Sequence, residues 1–161
     1  MTPGHWHPLR PLATGRRSRV YLGLHRPTGE RVALKVFTQP PTPAFLARLE
    51  HEERVSRCLE GAGLVRVLAS GLLRGRPCQA LALLEGETLA QRLTREARLS
   101  AQEAARLGAR VASTLAHLHA AGVVHRDVKP ANLMMRADGW PTLLDWDSAA
   151  LTPADLAPGS D

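Results

Sequence analysis

Asp127 and Lys129 stand two residues apart and Asn132 lies three further on, within the run His125-Arg126-Asp127-Val128-Lys129-Pro130-Ala131-Asn132. In a short extended loop this spacing aims a carboxylate, an ammonium and a carboxamide at one point. A second carboxylate, Asp145, sits at a predicted strand end and is brought back toward the loop by a predicted hairpin. A carboxylate beside an amide supplies hard oxygen ligands of the kind that suit Mg2+. Such a set fits phosphoryl transfer, in which a protein does little covalent chemistry: it aligns the nucleophile and neutralises phosphate charge with cations and metal.

The elements that must hold these groups can be read from periodicity and turn chemistry. Arg19–Leu24 and Arg31–Phe37 alternate or run apolar around Arg26-Pro27-Thr28-Gly29-Glu30, which predicts a hairpin. Pro40-Pro41-Thr42-Pro43 reads as a loop, after which Phe45, Leu46, Leu49, Val55 and Leu59 recur at helical spacing. Val65–Ser70 and Pro77–Leu84 are predicted strands about a Gly-containing turn. Beyond a boundary near Gly86, Ser100 and Glu103 form a capping box. Leu107, Val111, Leu115 and Leu118 then make one apolar stripe, expected to be core, on a helix ending near Ala120-Ala121-Gly122. Asn132–Met135 and Thr142–Leu144 are predicted short strands about Arg136-Ala137-Asp138-Gly139-Trp140, whose Asp-Gly pair is a hairpin signal. The order is a strand-rich half with one helix, residues 1–86, followed by a helical half, residues 87–161, that carries the loop and the hairpin.

The segment Leu115–Asp145 resembles the catalytic loop and metal-binding strand pair of Hanks-type Ser/Thr protein kinases, through His-Arg-Asp-x-Lys-Pro-x-Asn preceded by Leu118-His119-Ala120-Ala121-Gly122-Val123-Val124. The resemblance implies Asp127 as catalytic base toward a substrate hydroxyl, Lys129 on the transferred phosphate, and Asn132 and Asp145 as Mg2+ ligands. Upstream, Val32-Ala33-Leu34-Lys35 resembles the strand whose lysine grips the nucleotide phosphates, and Glu52 is the best candidate for the glutamate that pairs with it, ahead of Glu50 and Glu53. Leu12-Ala13-Thr14-Gly15-Arg16-Arg17-Ser18-Arg19-Val20 is similar to the glycine-rich loop, with Ala13 and Ser18 where its first and third glycines stand. Leu81-Ala82-Leu83-Leu84-Glu85-Gly86 looks like the hinge, with Leu81 limiting the adenine pocket and backbone groups of Ala82 and Leu84 facing the base. Leu12, Gly15, Val20, Ala33, Lys35, Glu52, Leu81, Ala82 and Leu84 are thus the implied nucleotide-binding set, and ATP and Mg2+ the implied cofactors. His125 is expected to be a packed brace of the loop.

The resemblance covers residues 10 to about 148 and implies an α+β, protein-kinase-like two-lobed fold: an antiparallel sheet with one helix, then a reduced second lobe. Two departures bear on function. From Asp147 the sequence runs only to Asp161, too short for an activation segment and the helices that complete such a lobe. Apolar surface on the helix stripe therefore leads to the expectation of a homo-oligomer or a partner protein as cover. Asp145-Trp146-Asp147 places an aspartate where the metal-binding triplet usually has glycine, which is similar to aminoglycoside and choline kinases. The expected function is ATP- and Mg2+-dependent phosphoryl transfer to Ser/Thr of a protein or of the chain itself. A small-molecule kinase and a nucleotide-binding pseudokinase scaffold are the alternatives.

Bulk properties narrow the field further. The 161 residues, 44% hydrophobic, give one domain or two small lobes. The net charge of +6 and pI near 10.6 come from scattered arginines, and only 4% of residues are aromatic, so nucleic acid is not expected as a partner. Apolar runs are too short for a membrane span, and Met1–Arg10 holds Pro, His and Trp where a secretory signal needs an apolar core; a cytoplasmic protein is expected. Cys58 and Cys78 lack ligand or disulfide spacing and are expected to be buried free thiols.

Overall fold

The computed structural model describes residues 5–59, 63–145 and 149–151. The chain divides into two compact units: one takes the residues up to Cys58 with Arg66–Leu84, the other takes Leu59–Val65 with the residues from Glu85 onward.

The first unit is an antiparallel sheet of β1 (Trp6–Thr14), β2 (Ser18–His25), β3 (Glu30–Phe37), β4 (Val67–Leu73) and β5 (Arg76–Ala82) in the order β1-β2-β3-β5-β4, with helix α1 (Pro43–Cys58) packed on it. The predicted hairpin is β2–β3, and its Pro-Thr-Gly turn is closed by the N–H groups of Thr28 and Gly29 on the His25 carbonyl. Thr42 caps α1 by accepting the Phe45 N–H at 3.3 Å, with Pro43 as first helical residue, so the proline-rich loop is also the helix start. Between β4 and β5 the chain reverses through Arg74 and Gly75, both at positive φ (51° and 77°), the signature of a tight hairpin turn.

The alternation along β3 divides the sheet into two faces. Val32 and Leu34 join Trp6, Ala69 and Ala80 in one buried cluster. Lys35 and Phe37 point to the other face, where Phe37 meets Phe45 of α1 edge-on at 5.2 Å. β1 is an addition to the predicted elements. Its Pro8 and Pro11 argue against a central strand, but β1 lies at the sheet edge and shifts register beside both prolines, where a missing N–H costs no ladder bond.

In the second unit, β6 (Glu87–Thr88) leads into helix α2 (Leu89–Glu96), and α3 (Ala101–Ala120) follows. Both helices start on a capping box, Ser100/Glu103 as expected and Thr88/Gln91 in addition. Glu103 also takes a hydrogen bond from Arg92, which together with Ser100 holds its carboxyl down at about 2. Strand β7 (Val123–Val124) precedes the loop, and β8 (Leu133–Met135) and β9 (Pro141–Leu143) form the predicted hairpin, with Gly139 at φ +74° in its turn. β6, β8 and β9 make one small sheet, and β7 pairs with β10 (Ala150–Leu151). Leu64 forms a parallel bridge to Leu143, which is why the segment Leu59–Val65 belongs to this unit. Among the described residues no helix is long and apolar enough to cross a membrane.

Several boundaries and burials differ from expectation. Asn132 closes a 3-10 turn, Pro130–Asn132, and the strand begins only at Leu133, because the Asn132 N–H is bonded back to the Lys129 carbonyl at 2.9 Å. On α3 the buried positions are Thr114 and Leu118, whereas Leu107, Val111 and Leu115 are half-buried. Periodicity marks a shared face, but the packed part of it is the last two turns. Cys58, at the end of α1, is exposed, and Cys78 alone is buried, which raises its thiol to about 11.

Candidate functional site

In the first unit, β3 places Lys35 between two strands: it is paired with Val20 of β2 and with Gln79 of β5. Lys35 is only 5% exposed, and its ammonium lies 5.2 Å from the Phe37 ring centre. On the helix facing this side of the sheet, Glu52 is buried while Glu50 is exposed and Glu53 half-exposed, which singles out Glu52 among the three candidate glutamates. Its Oε1 accepts from Arg48 Nε at 2.9 Å and its Oε2 from Gln79 Nε2 at 3.1 Å. Arg48 has a sequence signal, the four-residue spacing to Glu52. Gln79 has none, since a glutamine in an apolar strand reads as a solvent-facing break.

The other implied nucleotide residues lie in the same unit, and Val20 is paired with Lys35. Gly15 is at the β1–β2 turn, its N–H donating to the Ser18 carbonyl at 2.9 Å, with Ala13 paired to Val20. Leu12 is exposed, Val20 and Ala33 are half-buried, and Ala33 pairs with the buried Leu81. The Ala82 N–H donates to the Arg66 carbonyl at 2.9 Å and is thus spent within the unit. Leu84 is half-buried at the end of this unit.

In the second unit, the loop between β7 and β8 brings Asp127, Lys129 and Asn132 together as the spacing predicts. Lys129 Nζ donates to Asp127 Oδ2 at 2.6 Å, and Asn132 Nδ2 donates both to that oxygen and to the Asp127 carbonyl, each at 2.9 Å. The hydrogen bond from Lys129 is the main cause that holds the Asp127 carboxyl below its ordinary range, and Asn132 adds to it. Leu144 N–H donates to the Asn132 carbonyl at 3.0 Å, and this bond sets Asp145, the next residue, beside the loop. The Asp145 charge accordingly acts on both Asp127 and His125, raising the proton affinity of each. Trp146 and Asp147 lie outside the described residues.

His125 is 2% exposed, and its Nδ1 accepts the Asp127 N–H at 3.4 Å, so the ring folds back under the loop as a brace. Arg126 between them adopts a left-handed φ of 61°. With Nδ1 accepting, the proton sits on Nε2, which has no hydrogen-bond partner among the described residues. Burial, the dominant cause, pushes the imidazole below its ordinary 6.5 against the pull of Asp145 and Asp127. A group that binds its proton less readily folded than unfolded costs stability as the pH falls through the ordinary value toward the folded one. The expected result is that the unfolding free energy of the wild type drops more steeply below about pH 6.5 than that of His125→Leu, measured by denaturant titration at a series of pH values.

A buried lysine and a buried glutamate in one unit, and an Asp/Lys/Asn loop with a second carboxylate in the other, are side chains of the types that phosphotransferases, as a class, use. Sequence comparison places the chain within that class. The family model described as "protein kinase domain" matches residues 6–157, and the chain belongs to this family. Among its relatives, the serine/threonine-protein kinase PknH of Mycobacterium tuberculosis is 32% identical over 151 residues, which is 92% of this chain and 24% of PknH. Pkn2 of Myxococcus xanthus is 31% identical over 159 residues, 96% of this chain and 19% of that protein. PknA of Mycobacterium tuberculosis is 31% identical over 170 residues, 98% of this chain and 39% of PknA. The chain therefore spans well under half the length of these relatives.

Proposed function

We propose that this chain transfers the terminal phosphoryl group of ATP, with Mg2+, to a Ser or Thr hydroxyl of a protein, its own residues included. The observation that carries the reading is the Asp127 carboxylate, ionised well below neutrality and fixed by Lys129 and Asn132. In this role Asp127 accepts the acceptor hydroxyl's proton, and Lys129, at the same oxygen, is placed to meet the transferred phosphate. Lys35 grips the nucleotide phosphates from the sheet, and Glu52 fixes its charge. Leu12, Gly15, Val20, Ala33, Leu81, Ala82 and Leu84 enclose the nucleotide.

The donor set fits Mg2+. Asn132 spends its Nδ2 on Asp127, which turns its Oδ1 toward ligation, and Asp145 adds a carboxylate; one or two such oxygens with substrate phosphates are the usual Mg2+ complement. When bound, the ion neutralises phosphate charge. A protein acceptor is supported by the relatives, which are named as serine/threonine-protein kinases. The test is incubation with terminally labelled ATP, with and without Mg2+, and with and without a generic basic protein. Mg2+-dependent label on protein is expected. Label on an added aminoglycoside or choline instead, or no transfer at all, overturns the reading.

A further inference from the structure

Gln79 is the one amide in the strand Arg76–Ala82, and it is 1% exposed amid Pro77, Cys78, Ala80 and Leu81. A polar side chain buried this deeply is destabilising unless its hydrogen bonds are made. Its ladder position explains how they are made. Gln79 pairs with Lys35 on one side and with Ser70 on the other, so the three side chains stand in a row on the face that α1 covers. Ser70 Oγ donates to the Leu49 carbonyl at 3.0 Å, and Gln79 Nε2 donates to the same carbonyl at 3.4 Å and to Glu52 Oε2 at 3.1 Å. The amide orientation is forced: rotated by half a turn, its oxygen would face a carbonyl and a carboxylate, two acceptors.

We propose that Gln79 is a positioning residue for the nucleotide site, holding the Glu52 carboxylate toward the sheet and Lys35 against the pull of Arg48. Glu52 has a donor on each oxygen. Arg48, one helical turn back, is 44% exposed in its side chain and draws the carboxylate toward solvent; Gln79 draws it toward the sheet. The two donors differ in charge. Arg48 neutralises the carboxylate, whereas the amide anchors it and leaves its charge for Lys35. An acidic residue here would repel Glu52, and an apolar one would leave Oε2 without its sheet anchor.

The inference rests on the proposed function, and the experiment separates the two by measuring nucleotide affinity and turnover together. Gln79→Met keeps length and volume while removing the donors. It is expected to lower kcat/KM for ATP by about 10- to 100-fold, the range for losing a hydrogen bond to a charged group. In a Glu52→Gln background the same change is expected to cause no further loss. Gln79→Glu is expected to be the weaker enzyme at about pH 8 and to recover as the pH falls, since the introduced carboxyl, once protonated, donates to Glu52 again. Gln79→Met within twofold of wild type, a loss fully additive with Glu52→Gln, or a Gln79→Glu profile parallel to wild type overturns the inference. Should Gln79→Met not fold, the pH profile of Gln79→Glu decides alone. A wild type that binds ATP tightly without turning it over strikes the proposed function instead, and the same variants are then read by the dissociation constant of a fluorescent ATP analogue.

Discussion

Asp127→Asn is expected to lower turnover by about 100- to 10,000-fold, the range for losing a general base, while ATP affinity stays within a few fold of wild type. The size follows from the geometry. Asparagine keeps the shape and can still accept hydrogen bonds from Lys129 and Asn132 through its oxygen, so the loop stays intact. What it cannot do is take a proton from the acceptor. Because Lys129 holds the Asp127 carboxyl below its ordinary value of 3.8, the base is already ionised across the neutral range. Its titration therefore produces no fall in rate until the pH drops below that value. Steady-state assay of phosphate incorporation, with nucleotide affinity measured separately, checks both halves; unchanged turnover removes Asp127 from the mechanism.

Asp145→Asn is expected to cost about 1,000-fold in rate, equivalent to the several kcal/mol that metal charge supplies to phosphoryl transfer. The loss has a different signature. It should fall on the Mg2+ requirement, with the concentration for half-maximal rate shifted up, whereas Asp127→Asn leaves that concentration unchanged. A second consequence is electrostatic: Asp145 raises the proton affinity of Asp127 and His125, so its neutralisation lowers both further. Rate against Mg2+ concentration for the two variants, side by side, separates base from ligand. An Asp145→Asn enzyme with an unchanged Mg2+ dependence denies it the ligand role.

The catalytic loop was legible because its order is local. Asp127, Lys129 and Asn132 meet through a turn a few residues long, and Pro130 and the Asp138-Gly139 pair announce the backbone on either side. Lys35 was legible for the same reason, within one alternating strand. Features that depend on a neighbouring element were not. β1 hides behind two prolines that only an edge position tolerates, and α2 is too short for its apolar period to speak, although Thr88 and Gln91 carried its cap. Gln79 becomes intelligible only once Leu49 and Glu52 are seen above it. The α3 stripe shows the opposite limit: spacing reveals which residues share a face, but not how far along that face anything packs.

The path of the chain between the two units bears on how such a protein can be recombined. Helix α1 ends in the first unit, Leu59–Val65 belongs to the second, and β4 and β5 return to the first before Glu85. No single crossover point therefore exchanges one unit intact. A chimera joined at Glu85 pairs Leu143 with a foreign Leu64 equivalent and depends on a foreign Val65 N–H to meet the Leu143 carbonyl. These bonds run between backbone atoms, so the graft, Gly63–Val65, asks little of side-chain identity beyond Gly63, which takes a φ of +74° and leaves no room for a Cβ beside Thr114.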